Sequence, residues 1–202
     1  MTEILDRVRA HLSAHFAGLS MSGEPAVARV TFLGAEPVEV LRFRRGTSEL
    51  VHYVTLGCSR RPMGEPAEAV TEQVRGPRAE VVLCLRDPGP ATGIARSLAI
   101  LAATPAVEGV VLVPDALIDL GAPLWARNSV SAPFTAVLLG RSEITDLELD
   151  PPCDPVVFLS ATPITATEAA WVRLKGAEAM RRAWDTDDVD VLDPNRPAAQ
   201  PK

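Results

Sequence analysis

Apolar residues at Ile4, Leu5, Val8, Leu12, Phe16 and Leu19 recur at helical spacing, with Asp6, Arg7, Arg9 and Ala10 on the other side, so the chain opens on an amphipathic helix. The period then changes. Short β-branched or alternating runs at 27–32, 38–43 and 50–56 predict strands, and the turn segments 34–37 and 45–48 are short enough to join antiparallel neighbours. A longer Pro-rich, charged loop at 58–75 leads into another strand-like run at 79–85. Residues 91–103 predict a buried helix with Ile94, Leu98, Leu101 and Ala102 on one side. Strands are expected at 110–113 and 135–139, with an irregular loop or short helix at 116–125 between them. The break Asp150-Pro151-Pro152-Cys153-Asp154 precedes a last strand at 156–159. Thr165 followed by Glu168 is a capping box, and the helix formers after it predict a final helix to Trp184, with Ala169, Val172, Ala179 and Met180 on its apolar side.

This order predicts an α+β fold: a single domain with a mixed, mainly antiparallel central sheet covered by helices. Residues 1–24 form the N-terminal helix and linker, 25–185 the domain, and 186–202 an acidic, Pro-rich tail expected to be flexible. Cutting the chain after Leu192 should then leave the melting temperature almost unchanged. Trp171 is expected to face the sheet.

With 202 residues, 47% hydrophobic and 23% charged, the chain can bury a core unaided. Aromatics are only 4% and the net charge is −6, which argues against a nucleic-acid binder. Arg42 and Arg44 share one strand face and, with Arg45, Arg60 and Arg61, could form a local basic patch; solvated strand arginines are the simpler reading. The N-terminus lacks the pattern of a signal peptide, and the apolar stretch 94–113 is interrupted by Arg96, Ser97, Pro105 and Glu108, so no membrane span is expected. Cys58, Cys84 and Cys153 are widely spaced and in no CxxC pair, which fits a reducing cytoplasm without disulfide, metal or cofactor.

Candidate chemistry is sparse. Of the three histidines, His11 and His15 lie four apart on the first helix without a third ligand, and His52 could pair with Cys58 only if the fold brings them together. The turn Asp87-Pro88-Gly89-Pro90-Ala91-Thr92-Gly93 before a helix could receive an anion, as a small-molecule or nucleotide-binding enzyme would require. It has neither the spacing nor the Lys-Ser/Thr pair of a phosphate loop, and two prolines remove amides. Glu143, Asp146, Glu148 and Asp150 alternate with apolar residues as the polar side of an edge strand would. No catalytic signature emerges from the residues.

Four segments taken together resemble the suppressor-of-fused domain in its bacterial one-domain form: Tyr53-Val54-Thr55-Leu56-Gly57-Cys58-Ser59-Arg60-Arg61-Pro62-Met63, Arg78-Ala79-Glu80-Val81-Val82-Leu83, Phe158-Leu159-Ser160-Ala161-Thr162-Pro163-Ile164-Thr165, and Glu168-Ala169-Ala170-Trp171-Val172-Arg173-Leu174-Lys175-Gly176-Ala177. The resemblance spans roughly residues 25 to 185 and rests on the order and spacing of the segments. The family pattern usually carries an acidic or neutral residue after the first segment's serine, where this chain has Arg60 and Arg61. Animal relatives join such a domain to a second lobe, for which this chain is expected to be too short, and add a transcription-factor peptide as a strand between the lobes. The resemblance therefore implies a non-enzymatic protein-binding domain. Several bacterial members resemble immunity proteins or antitoxins, so the partner it implies is another protein such as a cognate toxin; a housekeeping interaction domain is the alternative. The loops carrying Arg60, Arg61 and Met63, and Leu124, Trp125 and Arg127, hold residue types enriched at interfaces and are the expected partner site, provided that Trp125 is exposed.

Overall fold

The computed structural model describes residues 2–21, 23–32, 36–44, 46, 49–64 and 74–199. Parts of the turns expected at 34–37 and 45–48, much of the loop at 58–75 and the last three residues lie outside them. Helix α1 (Thr2–Gly18) opens the chain, followed by strands β1 (Ala26–Val30), β2 (Val38–Arg44) and β3 (Leu50–Leu56), a single 3-10 turn at Cys58–Arg60, and β4 (Arg78–Arg86). After β5 (Ala91–Thr92) and α2 (Ile94–Glu108) come β6 (Leu117–Asp119), β7 (Ala126–Arg127), β8 (Val130–Ser131), β9 (Phe134–Arg141) and β10 (Val156–Thr165). Helices α3 (Ala166–Lys175) and α4 (Ala177–Thr186) complete the set.

The main sheet runs β1-β2-β3-β4-β10-β9-β6 and is antiparallel except where β10 lies parallel to β4. It is the mixed, mainly antiparallel sheet that the sequence pattern predicts, and a short β5-β7-β8 sheet accompanies it. Side-chain alternation divides the core between its faces. Val40, Tyr53, Val81, Leu83 and Leu139 pack with α2, whereas Leu41, Phe43, Val54 and Phe158 pack with Val8, Leu12 and Phe16 of α1. Ala136, Leu138 and Ile164 lie under α3 and α4. With cover on both faces, β4 is buried along most of its length, which explains its nearly continuous apolar run.

Several expectations change for identifiable reasons. Gly176, at φ 87°, divides the predicted final helix and resets its phase, so the buried residues of α4 are Ala177, Met180 and Trp184 while Ala179 is only half-buried. The apolar run at 110–113 forms no strand, because 117–119 takes the place beside β9 and Leu112 packs into the core. The acidic string is no edge strand: it stays irregular apart from one bridge between Leu147 and Val156, and Arg7 of α1 holds it through Asp150 at 2.6 Å and the Glu148 carbonyl at 2.8 Å. Arg42 is half-buried, 6.0 Å from the Tyr53 ring centre, and Arg44 pairs with Asp87 at 2.7 Å, so neither is a freely solvated arginine.

The tail also departs from expectation, because it docks as far as Ala199. Arg196 is 3% exposed and donates to the Glu168 carboxylate at 2.7 and 3.1 Å and to the Pro163 carbonyl at 2.9 Å. Its guanidinium also lies between the rings of Phe134 and Trp184, at 5.1 and 5.6 Å. A proline-rich composition gives no apolar core of its own, but the segment borrows one: Ala199 is buried and Val189 and Val191 pack against the α3–α4 cluster, while the Arg86 amide donates to the Leu192 carbonyl at 2.8 Å and the Ala199 amide to Glu168 at 3.1 Å.

Candidate protein-binding site

The most constrained part of the molecule outside the apolar core surrounds Glu80. One carboxylate oxygen accepts from the Gly57 amide at 2.8 Å, the Ser59 amide at 3.0 Å and the Ser59 hydroxyl at 2.6 Å; the other accepts from the Thr55 hydroxyl at 2.6 Å. Thr55 in turn accepts from the Val81 amide at 2.8 Å, and Arg78 donates to the Ser59 carbonyl at 2.8 Å. Burial raises the Glu80 carboxyl above the ordinary glutamate range, and the donated bonds offset part of that rise. Gly57 is required twice over: its φ is 145°, and a Cβ there would lie 3.3 Å from the Val38 Cα. Ser59 and Glu80 form a hydroxyl–carboxylate pair, but both are fully buried, so the pair holds the loop rather than meeting a substrate.

This lock sets the direction of Arg60. Its guanidinium donates to the Pro37 carbonyl at 3.1 Å and pairs with Glu36 at 2.5 Å, and Arg61 reaches the same carboxylate at 3.3 Å. Arg60 thereby forms one wall of an open cleft of about 410 Å³, whose other charged residues are Asp6 and Arg9 of α1, Arg29 of β1, Glu36 just before β2 and Glu39 within it. Arg9 pairs with Glu39, while Arg29 has no ion-pair partner among the described residues. Beside the cleft runs β1, whose first four residues are exposed and whose Val27 is 51% exposed. It pairs with β2 on one side, and among the described residues no strand pairs with the other. The opposite edge of the sheet, β6, lies against α3 with Arg173 bonded to Asp119 at 2.6 Å.

The six expected site residues do not form one surface. Arg60 and Arg61 stand at the cleft, but Met63, Leu124 and Trp125 belong to the core, with Trp125 only 4% exposed and its ring 5.3 Å from that of Phe134. Loop position was a poor guide here, because apolar loop residues beneath a helix turn inward to complete the core. Arg127 is exposed on β7, with its guanidinium beside Gly89. The candidate surface therefore moves from the two loops to the β1 edge and its cleft. Sequence reasoning missed Glu80 as a site organiser, although a lone carboxylate within the apolar run of β4 is a signal that it needs buried donors.

The other chemical candidates are absorbed structurally. His52 approaches Cys84 at 3.8 Å and the Phe16 ring at 5.2 Å, so its close sulfur neighbour is not Cys58; burial pushes the Cys84 thiol up to about 11. His11 stacks on Phe158 with ring centres 5.4 Å apart, and its Nε2 meets the Thr145 carbonyl oxygen at 2.8 Å. Among the described residues no group of three His, Cys, Asp or Glu could hold a metal ion. In the turn before α2, the Gly89 amide donates to the Asp87 carboxylate at 3.0 Å and Asp87 also pairs with Arg44 at 2.7 Å, so that amide is already engaged within the turn. No described helix is long and apolar enough to cross a membrane.

Residues 34–197 match the model of the Suppressor of fused protein (SUFU) family, well over half the chain. The chain belongs to the SUFU family. A suppressor of fused homologue from Neisseria gonorrhoeae FA 1090 superposes with a TM-score of 0.68 at 17% identity, over 99% of this chain and 98% of that one. A chain from the Sufu–Fu complex gives 0.64 at 16% identity, over 96% and 91%. Drosophila Suppressor of Fused gives 0.63 at 13% identity over 95% of this chain, which spans 50% of the Drosophila chain. At these identities the solved structures establish a shared fold. No curated protein sequence matches the chain. The motif of this SUFU domain that runs through Thr55, Gly57 and Ser59 has a physical role here: all three bond to Glu80.

Proposed function

We propose that this SUFU domain is a non-enzymatic protein-binding module that takes an extended segment of its partner along the free edge of β1. The carrying observation is the edge itself: a strand of five residues, exposed along most of its length and paired on one side only among the described residues, beside a charged cleft. Added strands gain affinity from main-chain hydrogen bonds and specificity from pockets for alternate side chains. Arg29 and Arg60 on one hand, and Asp6, Glu36 and Glu39 on the other, give the cleft both signs of charge with which to set register. Membership of the SUFU family and the Sufu–Fu complex among its structural neighbours support the protein-binding class.

Selection of a displayed library of extended peptides against the intact protein tests this. Enriched peptides should shift the amide resonances of residues 26–30 and lose at least about tenfold in affinity when proline replaces a residue among 27–29 whose amide points away from β2. Peptides that bind the variant equally well, or map to another surface, would reject the site. As the finer reading, the partner is a toxin and the protein its cytoplasmic neutraliser; the net charge of −6 supports a basic target such as a nuclease through complementary fields. Coexpression with the product of an adjacent reading frame checks it: rescue of growth is expected, and a product without toxicity removes the toxin reading while leaving the edge site standing.

A further inference from the structure

The face of the sheet opposite α2 is covered in two places, and the gap between them is polar. On β10, alternation puts Phe158, Ser160, Thr162 and Ile164 on one face; Phe158 lies under α1 and Ile164 under α3 and α4. The two hydroxyls between them form the floor of an open groove of about 400 Å³, together with Gly140, which is the register partner of Ser160. Space favours glycine at 140: a Cβ there would sit 2.8 Å from the Ser160 hydroxyl oxygen, which would have to turn away, and 3.8 Å from an Arg181 nitrogen.

Two guanidinium groups border this floor. Arg181 comes from α4 and is held at both ends, by Asp115 at 2.6 Å and by the Leu139 carbonyl at 3.1 Å. Arg141 ends β9, is exposed, and has no ion-pair or side-chain hydrogen-bond partner among the described residues. Asp115 is the one carboxylate in the lining, and it is itself exposed and engaged by Arg181. The Ser160 hydroxyl already donates to the Arg141 carbonyl at 3.2 Å, which leaves Thr162 as the hydroxyl without a bond among the described residues. A fixed guanidinium, a second uncommitted one and the Thr162 hydroxyl beside the backbone of Gly140 suit a compact oxyanion, which takes charge-assisted bonds from arginine and a neutral one from threonine.

We propose that this groove binds a small molecule through a phosphate or carboxylate group, with Arg141 and Arg181 on the anion and Thr162 beneath it. The site is separate from the β1 edge, and its test does not depend on the protein-binding reading. Inorganic phosphate and citrate are titrated separately into the intact protein while the side-chain Nε–Hε signals of its arginines and the backbone amide of Gly140 are followed by NMR. Saturable shifts centred on Arg141, Arg181 and Gly140 are expected with at least one probe, and the responding probe identifies the preferred oxyanion. Arg141→Gln should weaken that binding about tenfold or more, and Asp115→Asn, which removes the competing carboxylate, should strengthen it. Melting temperatures of both variants, expected to stay near that of the parent, check that their folds are intact. Shifts that do not saturate, shifts centred on other arginines, an Arg141→Gln protein that binds like the parent, or weaker binding by Asp115→Asn would each overturn the proposal.

Discussion

Glu80 and Glu168 are both buried carboxylates, yet their surroundings act on them in opposite directions. Glu80 meets only neutral donors, and burial leaves its carboxyl raised. For Glu168 burial also acts upward, but bonds from Arg196, the Thr165 amide and the Trp184 indole, with the charge of Arg196, outweigh it and hold the carboxyl below the ordinary range. A lowered folded value means that ionised Glu168 contributes stability above the ordinary 4.5 and loses it as the pH falls from there through the folded value. Melting curves should therefore drop across that acid window, and Glu168→Gln, less stable at neutral pH, should show a shallower drop. At Glu80, replacement by Ala leaves the donors of Thr55, Gly57 and Ser59 unpaired and should cost roughly 3–5 kcal/mol in denaturant unfolding. A near-neutral result would mean that the loop is held by something other than the carboxylate.

At the scale of elements, the two tryptophans after β10 separate sharply. Trp184 of α4 is 6% exposed and bonds Glu168 at 3.1 Å, whereas Trp171 of α3 is half-buried at the border of the same cluster. Trp184→Ala should cost about 3–5 kcal/mol and Trp171→Ala clearly less, a ranking that urea unfolding of the two variants checks. Trp125, for which the sequence left both an exposed anchor and a ring packed under its own loop open, takes the packed place; it should behave like Trp184 and lower the melting temperature when truncated, because its ring lies in the core cluster with α2 and the sheet. The capping box at Thr165 and Glu168 was legible from spacing alone, since it is made within one helical turn. That the same Glu168 also receives Arg196 was not, because 28 residues separate them and no local rule links them.

For the molecule as a whole, the C-terminal segment closes the α3–α4 side and is part of the domain. Ending the chain after Leu192 removes Arg196 and leaves Glu168 buried without its cation, which should cost roughly 3–5 kcal/mol and lower the melting temperature on the order of 10 °C. A melting temperature unchanged by truncation would show that the docked tail contributes nothing net. By itself, the sequence determined the α+β class, the succession of main strands and helices and the family motif, because periodicity, turn residues and caps act over a few neighbours. Tertiary structure alone decided which loop residues turn inward, which strand is left as an open edge, and which distant charges meet. Those outcomes depend on where β1, α2 and the tail each pack on the sheet and its helices, and a pattern of local preferences holds no information about contacts across such separations.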